Sequence, residues 1–328
     1  MHQINSFTGL IRFIVLGFAF FSLVTIAWST SNNFLFSGIS IFAALVYAFW
    51  LICTHDMTHQ TLTGWRWFDS IMPRLISWPM LWPYSIYAAL HQLHHSWNGS
   101  DLRDPERVQW TWEEYHNSCL LVQWYVRHQC SIDIFLAGGV GLIMKTFIHG
   151  WRYRKLLSRL QQKIFLDVGG MALFHGVMLG FVITNGLLLR YLLFWLILER
   201  VIGIVMQTRD HLEHYGLWGK AKTYQLTQLY ASRNFQANSI IGWLIGGLNY
   251  HGVHHAFPGI PFNNLPDAFH RIQGVLETYN LPLMKFEHSY LYETFLLSRY
   301  SALICETKLL EFTSNNQIIY PQNNLPSN

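Results

Sequence analysis

Between Phe13 and His55 the chain carries no Asp, Glu, Lys or Arg. A polar step, Ser29-Thr30-Ser31-Asn32-Asn33, divides this stretch into two apolar runs, residues 13–28 and 34–53. A bilayer core of about 30 Å is crossed by about 20 helical residues, and somewhat shorter runs are accommodated at modest cost. The pair therefore reads as a transmembrane hairpin, its first run extended by residues before Arg12. A weakly charged amino terminus and an immediate second span argue against a cleaved signal peptide. A second hairpin is expected over residues 168–189 and 191–206. The latter run embeds Glu199 and Arg200, which at such depth should pair with each other or face the protein interior, or else mark a helix end.

Three further apolar stretches are poor spans. Residues 75–90 contain Pro79 and Pro83, which interrupt a helix. Residues 134–144 are short and hold Gly138, Gly139 and Gly141, and residues 239–250 are shorter than a span too. Runs of that length lie in the membrane interface or re-enter it. The sequence thus predicts an all-α membrane protein, with about four transmembrane helices in two hairpins, interfacial helices and a histidine-lined cap.

Composition agrees: 51% of residues are hydrophobic and 12% charged, and the mean hydropathy is +0.19, which is apolar for a chain of this length. Parity and charge orient it. With two hairpins as the only spans, both termini share one side with the loop 149–167, which carries Arg152, Arg154, Lys155, Arg159 and Lys163. Positive residues favour the cytoplasmic face, so a multi-pass protein with both termini in the cytoplasm is expected. Were residues 134–144 a true span, the basic loop would land opposite the segment that precedes it. A net charge of +4 suits an anionic membrane surface and an acidic soluble partner. No basic stripe stands out beyond that loop, so nucleic acid is not an expected partner. The four cysteines form no CxxC and suggest reduced thiols rather than a disulfide framework. No linker divides residues 1–312, read as one domain, and residues 313–328 have the composition of a loose, disordered tail.

The candidate chemistry lies in the histidines. Most of the informative ones among the seventeen fall into tight clusters: His55-Asp56-Met57-Thr58-His59, His91-Gln92-Leu93-His94-His95, His251-Gly252-Val253-His254-His255, and a smaller His211-Leu212-Glu213-His214-Tyr215. Residues three or four apart share one face of a helix, so HxxxH and HxxHH each aim two or three imidazoles at one point. Neutral imidazole is the commonest protein metal ligand near neutral pH. Three boxes supply eight such side chains, and one zinc or iron takes three or four; the clusters therefore argue for a dinuclear site. By parity all four emerge on the cytoplasmic side.

HDMTH, HQLHH and HGVHH, in that order and separated by hydrophobic hairpins, resemble the three histidine boxes of the membrane-bound fatty acid desaturase and hydroxylase superfamily, which also holds carotenoid ketolases and alkane monooxygenases. Residues 247–262, Gly-Leu-Asn-Tyr-His-Gly-Val-His-His-Ala-Phe-Pro-Gly-Ile-Pro-Phe, are similar to the third-box region of acyl-lipid desaturases. The likeness runs over roughly residues 40–275. It implies two irons held by His55 and His59, by His91, His94 and His95, and by His251, His254 and His255. HLEHYG is similar to the extra motif of the alkane monooxygenases, which adds His214 and leaves His211 as the weaker candidate. Asp56 would accept a ligand's N–H, and Asn249 would hold a metal-bound water or simply pack.

The resemblance implies O2-dependent desaturation of an aliphatic acyl chain in a membrane lipid or acyl substrate. Carotenoid ketolation or hydroxylation and alkane or acyl hydroxylation are the alternatives within the superfamily. No GxGxxG opens a helix and no haem-binding HPGG occurs, so a separate ferredoxin or cytochrome b5-type donor is expected to supply electrons. Two rivals stand outside the family. HDMTH approximates the HExxH of zinc peptidases, but Asp56 is one methylene short of the base glutamate and a single zinc leaves both HxxHH boxes unexplained. A non-catalytic haem or metal carrier would also use paired histidines.

Overall fold

The computed structural model describes residues 2–157, 160–304, 310–312 and 318–319. The expected tail, residues 313–328, lies outside them except for Ile318 and Ile319, as does Arg159 of the basic loop. The fold is helical. The helices run α1 Ser6–Ser29, α2 Asn33–Thr58, α3 Arg66–Ser77, α4 Tyr84–Trp97, α5 Trp112–His116, α6 Leu120–Ser131 and α7 Gly138–Arg152. They continue with α8 Gln161–Thr184, α9 Leu188–Leu212, α10 Tyr224–Tyr230, α11 Ser239–Leu244, α12 His251–Ala256, α13 Leu265–Thr278 and α14 Tyr290–Leu297. The described strands are two residues each; Trp110–Thr111 pairs in parallel with Leu303–Ile304, and Asn234–Phe235 with Phe286–Glu287.

Two compact units interleave along the chain. One comprises Ile4–Leu90 and Ala137–Gln207; the other comprises Met1–Gln3, His91–Leu136 and Thr208–Asn328. In the first unit α1 and α2 form the expected hairpin. Asn32 caps α2 by accepting from the Phe34 and Leu35 amides at 2.9 and 3.0 Å, which satisfies donors that a helix start leaves open. The two helices meet through aromatic rings, with Phe20 stacked on Tyr47 at 4.4 Å and Phe13 tilted against Trp50 at 5.2 Å. Phe18, Phe34 and Phe42 remain exposed, an apolar surface that calls for lipid rather than water. Arg12 of α1 is fully buried and pairs with Asp56 of α2 at 2.8 Å.

Pro79 and Pro83 act as expected. α3 gives way to a single 3-10 turn at Trp78–Met80, Leu81 adopts a left-handed conformation with φ 55°, and α4 begins after Pro83. Four described helices are long and apolar enough to cross a membrane: α1, α2, α8 and the continuous stretch Leu120–Arg152. The count of four agrees with the sequence expectation, but its membership differs. Residues 134–144, set aside as too short, lie inside the Leu120–Arg152 helix, whereas α9 is 25 residues long but carries Arg190, Glu199 and Arg200.

The glycines explain how that helix continues. It passes through a π turn at Ile132–Ala137 into Gly138, where φ is 54°, a backbone value that only glycine takes without strain. Such a break leaves main-chain groups unpaired, and α9 meets them. The Val140 amide donates to Glu199 Oε1 at 2.8 Å, Arg200 donates to the Ala137 carbonyl at 3.2 Å, and Gln207 donates to the Gly138 carbonyl at 3.1 Å. Glu199 and Arg200 also pair with each other, with a shortest contact of 2.5 Å. The burial of Glu199 and the half-buried position of Arg200 in an apolar run are thereby explained. Gly203 completes the junction, because a Cβ there would fall 2.0 Å from the Gly139 amide nitrogen. Gly203→Ala is expected to destabilise the protein by about 1–3 kcal/mol, the usual cost of overpacking, in denaturant unfolding in detergent; wild-type stability would contradict this junction.

Candidate metal centre

In the second unit, α4 brings His91, His94 and His95 one helical turn apart. The six-residue α12 does the same for His251, His254 and His255, and His214 lies in the turn that follows α9. α12 is too short to stand alone and is pinned by its neighbours. The Gly252 amide donates to Asn234 Oδ1 at 3.0 Å, and a Cβ at Gly252 would press on the Leu229 carbonyl at 3.0 Å. Ring nitrogens of His91, His95 and His254 lie within 4.8 Å of one another, and so do those of His94, His214 and His255. All six side chains are buried.

Four of the imidazoles are oriented from behind. His94 Nδ1 donates to Asp104 at 2.9 Å and His91 Nδ1 to Glu106 at 3.1 Å. His214 Nδ1 donates to the Ala231 carbonyl and His255 Nδ1 to Gln228 Oε1, both at 3.1 Å. Gln228 is in turn fixed by Asn98, whose Nδ2 donates to its Oε1 at 3.2 Å and whose carbonyl accepts from its Nε2 at 3.0 Å. With Nδ1 committed, Nε2 becomes the donor atom of each ring. The Nε2 atoms of His94 and His214 approach to 3.1 Å, and those of His91 and His95 to 3.0 Å.

Burial, reinforced by neighbouring imidazoles, pushes His214, His251 and His255 well below the usual histidine range, so they are neutral at pH 7. For His94 burial acts the same way, but Asp104 and Glu106 outweigh it and raise the ring to about 9. Burial also pushes the Glu213 carboxyl up to about 7 against the pull of Arg209. Neutral imidazoles with Nδ1 committed suit divalent metals such as zinc, iron or copper. His255 Nε2 adds a direct sign: it is buried and has no hydrogen-bond partner among the described residues. The donor set fits metal binding.

A family model described as fatty acid desaturase matches residues 32–287, most of the chain and all four histidine clusters. The chain belongs to the fatty acid desaturase family. An acyl-lipid (9-3)-desaturase from Physcomitrium patens is 24% identical over 288 residues, 79% of this chain and 52% of that protein. An sn-1 oleoyl-lipid 12-desaturase from Anabaena variabilis is 20% identical over 277 residues, 81% of this chain and 75% of that protein. A Delta(8)-fatty-acid desaturase from Euglena gracilis is 27% identical over 118 residues, 34% of this chain and 26% of that protein. The desaturase fold described here thus spans about a quarter to a half of the length of two of these three relatives.

His55 and His59 end α2 in the first unit with ring centroids 5.3 Å apart. Asp56 stands 3.4 Å from His55 Nδ1 and holds Arg12 on its other oxygen. Asn249 is buried in the 3-10 turn Leu248–Tyr250, and its Oδ1 has no hydrogen-bond partner among the described residues. His251 is outside both groups of three, although its Nε2 lies 3.1 Å from His214 Nε2. His211 is also outside them and faces Asp133 at 3.0 Å.

Sequence reasoning missed Asp104, Glu106 and Gln228. The acidic run Asp101-Leu102-Arg103-Asp104-Pro105-Glu106, six residues after the second box, was a legible sign of carboxylates for its Nδ1 atoms. Gln228 offered none, because one glutamine in a polar stretch has no distinguishing pattern. Asp104→Ala should weaken metal retention about 10–100-fold, as loss of a carboxylate behind a ligating histidine does, while Asp101→Ala, whose partner Arg103 is exposed, should not. Chelator competition on the purified protein measures both, and an Asp104→Ala protein as retentive as wild type would contradict the assignment.

Proposed function

We propose that this desaturase introduces a carbon–carbon double bond into an aliphatic fatty acyl chain, using O2 and two irons held by His55, His59, His91, His94, His95, His214, His251, His254 and His255. The observation that carries the reading is the pair of buried imidazole triads, His91, His95 and His254 with His94, His214 and His255. Such irons supply O2 activation and an oxidant able to take hydrogen from an unactivated C–H bond. Removing one hydrogen from each of two neighbouring carbons, with two electrons and two protons from outside, converts one O2 to two waters and leaves the acyl chain with a double bond. A ferredoxin or cytochrome b5-type protein is the proposed electron source.

The residues of the chain divide the remaining tasks. Asp104, Glu106, Gln228 and the Ala231 carbonyl hold the rings of His94, His91, His255 and His214 in the tautomer that presents Nε2. Burial of the triads keeps bulk water from the centre, which protects a strong oxidant from side reactions. The acyl-lipid desaturases among the relatives support a lipid-borne substrate. We further propose that α1–α2 and α8–α9 are the membrane hairpins, with the Leu120–Arg152 helix in the interface rather than across the membrane, and that the boxes and both termini are on the cytoplasmic face, in keeping with Arg152, Arg154, Lys155 and Lys163 beside α7 and α8.

Expression in a host that supplies reduced ferredoxin should yield a fatty acid two mass units lighter, with no oxygen from isotopically labelled O2 in the product. Mass spectrometry of total lipids and pigments decides. A hydroxy acid, an alcohol or a keto-carotenoid would replace desaturation as the reaction. Reporter insertions at Asn32 and Asn185 should both face away from the cytoplasm; a cytoplasmic signal at either would contradict the topology.

A further inference from the structure

The turn that follows the second box comes to the surface close to the centre. Trp97 ends α4 two residues beyond His95, and its half-buried ring carries the Arg103 guanidinium at 4.9 Å. Asp101 fixes that guanidinium, accepting from Arg103 Nε at 3.0 Å and from Nη2 at 2.7 Å. A second loop lies against this turn, for a Cβ at Gly99 would stand 3.5 Å from the Gly219 carbonyl oxygen. That loop leads through Lys220 and Lys222 to Tyr224, whose hydroxyl donates to the His95 carbonyl at 2.9 Å. All five side chains, those of Trp97, Arg103, Lys220, Lys222 and Tyr224, belong to the unit that carries both imidazole triads.

The charge of this surface is positive. Arg103, Lys220 and Lys222 are exposed. Of the carboxylates on the turn, Asp101 is taken by Arg103, while Asp104 and Glu106 point inward to His94 and His91. No carboxylate pairs with Lys220 or Lys222 among the described residues. Two unmatched lysines therefore face outward beside an Arg–Trp stack, an arrangement that draws a carboxylate-rich face and repels a basic one. The surface is also wired to the site. From the partly exposed Tyr224 ring, one hydrogen bond and the bonds of His95 itself lead to that residue's imidazole.

We propose that Trp97, Arg103, Lys220, Lys222 and Tyr224 form the docking surface for an acidic one-electron carrier protein, which presents a carboxylate-rich face around its redox centre. The inference rests on the reading above that a separate donor supplies electrons to two irons. Each carrier leaves oxidised by one electron, so two visits supply the two electrons that desaturation consumes with O2, and water supplies the two protons. The lysines draw the carrier in from a distance, and Trp97 and Tyr224 meet it at close range. Encounters between electron-transfer partners are small and weak, and this one loses strength as salt screens its charges.

The test measures binding of an oxidised, acidic [2Fe–2S] ferredoxin to the full-length protein in detergent, a readout that needs neither metal nor turnover. Wild type should bind it at low salt and lose most of that affinity as salt rises from about 0.01 to 0.15 M. The double substitution Lys220→Glu and Lys222→Glu should weaken low-salt binding about tenfold or more, whereas Lys163→Glu on α8 should not. In the iron-loaded protein the double variant should accept electrons more slowly from reduced ferredoxin, yet at the wild-type rate from photoreduced deazaflavin, a small reductant that needs no docking. Absence of low-salt binding, binding that ignores salt, or a double variant that binds as wild type does overturns the proposal. So does equal binding of a basic carrier, cytochrome c. Should the double variant fail to fold, the salt series and the cytochrome c comparison on wild type decide. A chain that docks ferredoxin through these lysines but holds one zinc and no iron would instead overturn the di-iron reading and leave the docking surface standing.

Discussion

The aim of four of the centre's imidazoles depends on the hydrogen bonds made by the nitrogens that face away from it. A buried imidazole N–H left without an acceptor costs about 1–3 kcal/mol, and a ring that is free to turn does not aim. Asp104, Glu106, Gln228 and the Ala231 carbonyl remove both difficulties at once for His94, His91, His255 and His214. The committed Nδ1 fixes the tautomer, the tautomer fixes Nε2 as the donor atom, and burial keeps His214 and His255 neutral. Each step follows from the previous one, and the convergence of Nε2 atoms is its result.

The rest of the molecule solves the complementary problem of keeping polar groups in an apolar structure. The break at Gly138 inside the Leu120–Arg152 helix exposes main-chain groups that Glu199, Arg200 and Gln207 satisfy. Arg12 and Asp56 pair between α1 and α2 at the end that bears His55 and His59. In both places a charge in an apolar run is matched to a specific partner, which is the condition on which such residues persist in membrane helices.

Much of this was legible in the sequence. A run of some forty uncharged residues with one polar step can hardly fold otherwise than as the α1–α2 hairpin, and Pro79 and Pro83 foretold the turn before α4. Histidines at helical spacing revealed the boxes because the spacing itself is the geometry. What escaped notice depends on contacts distant along the chain. Three glycines made residues 134–144 look like a broken fragment, since nothing local announces that α9 satisfies the break. Gln228 supports His255 from 27 positions away.

The central claim is that these imidazoles hold two irons, and elemental analysis of the purified, iron-reconstituted chain tests it most directly. About two irons per chain with negligible zinc is the expected result, since nine imidazoles exceed what one ion can use. His94→Ala and His254→Ala should each lower the iron content while leaving the helical circular dichroism intact. One zinc per chain, or full iron content in either variant, would contradict the account.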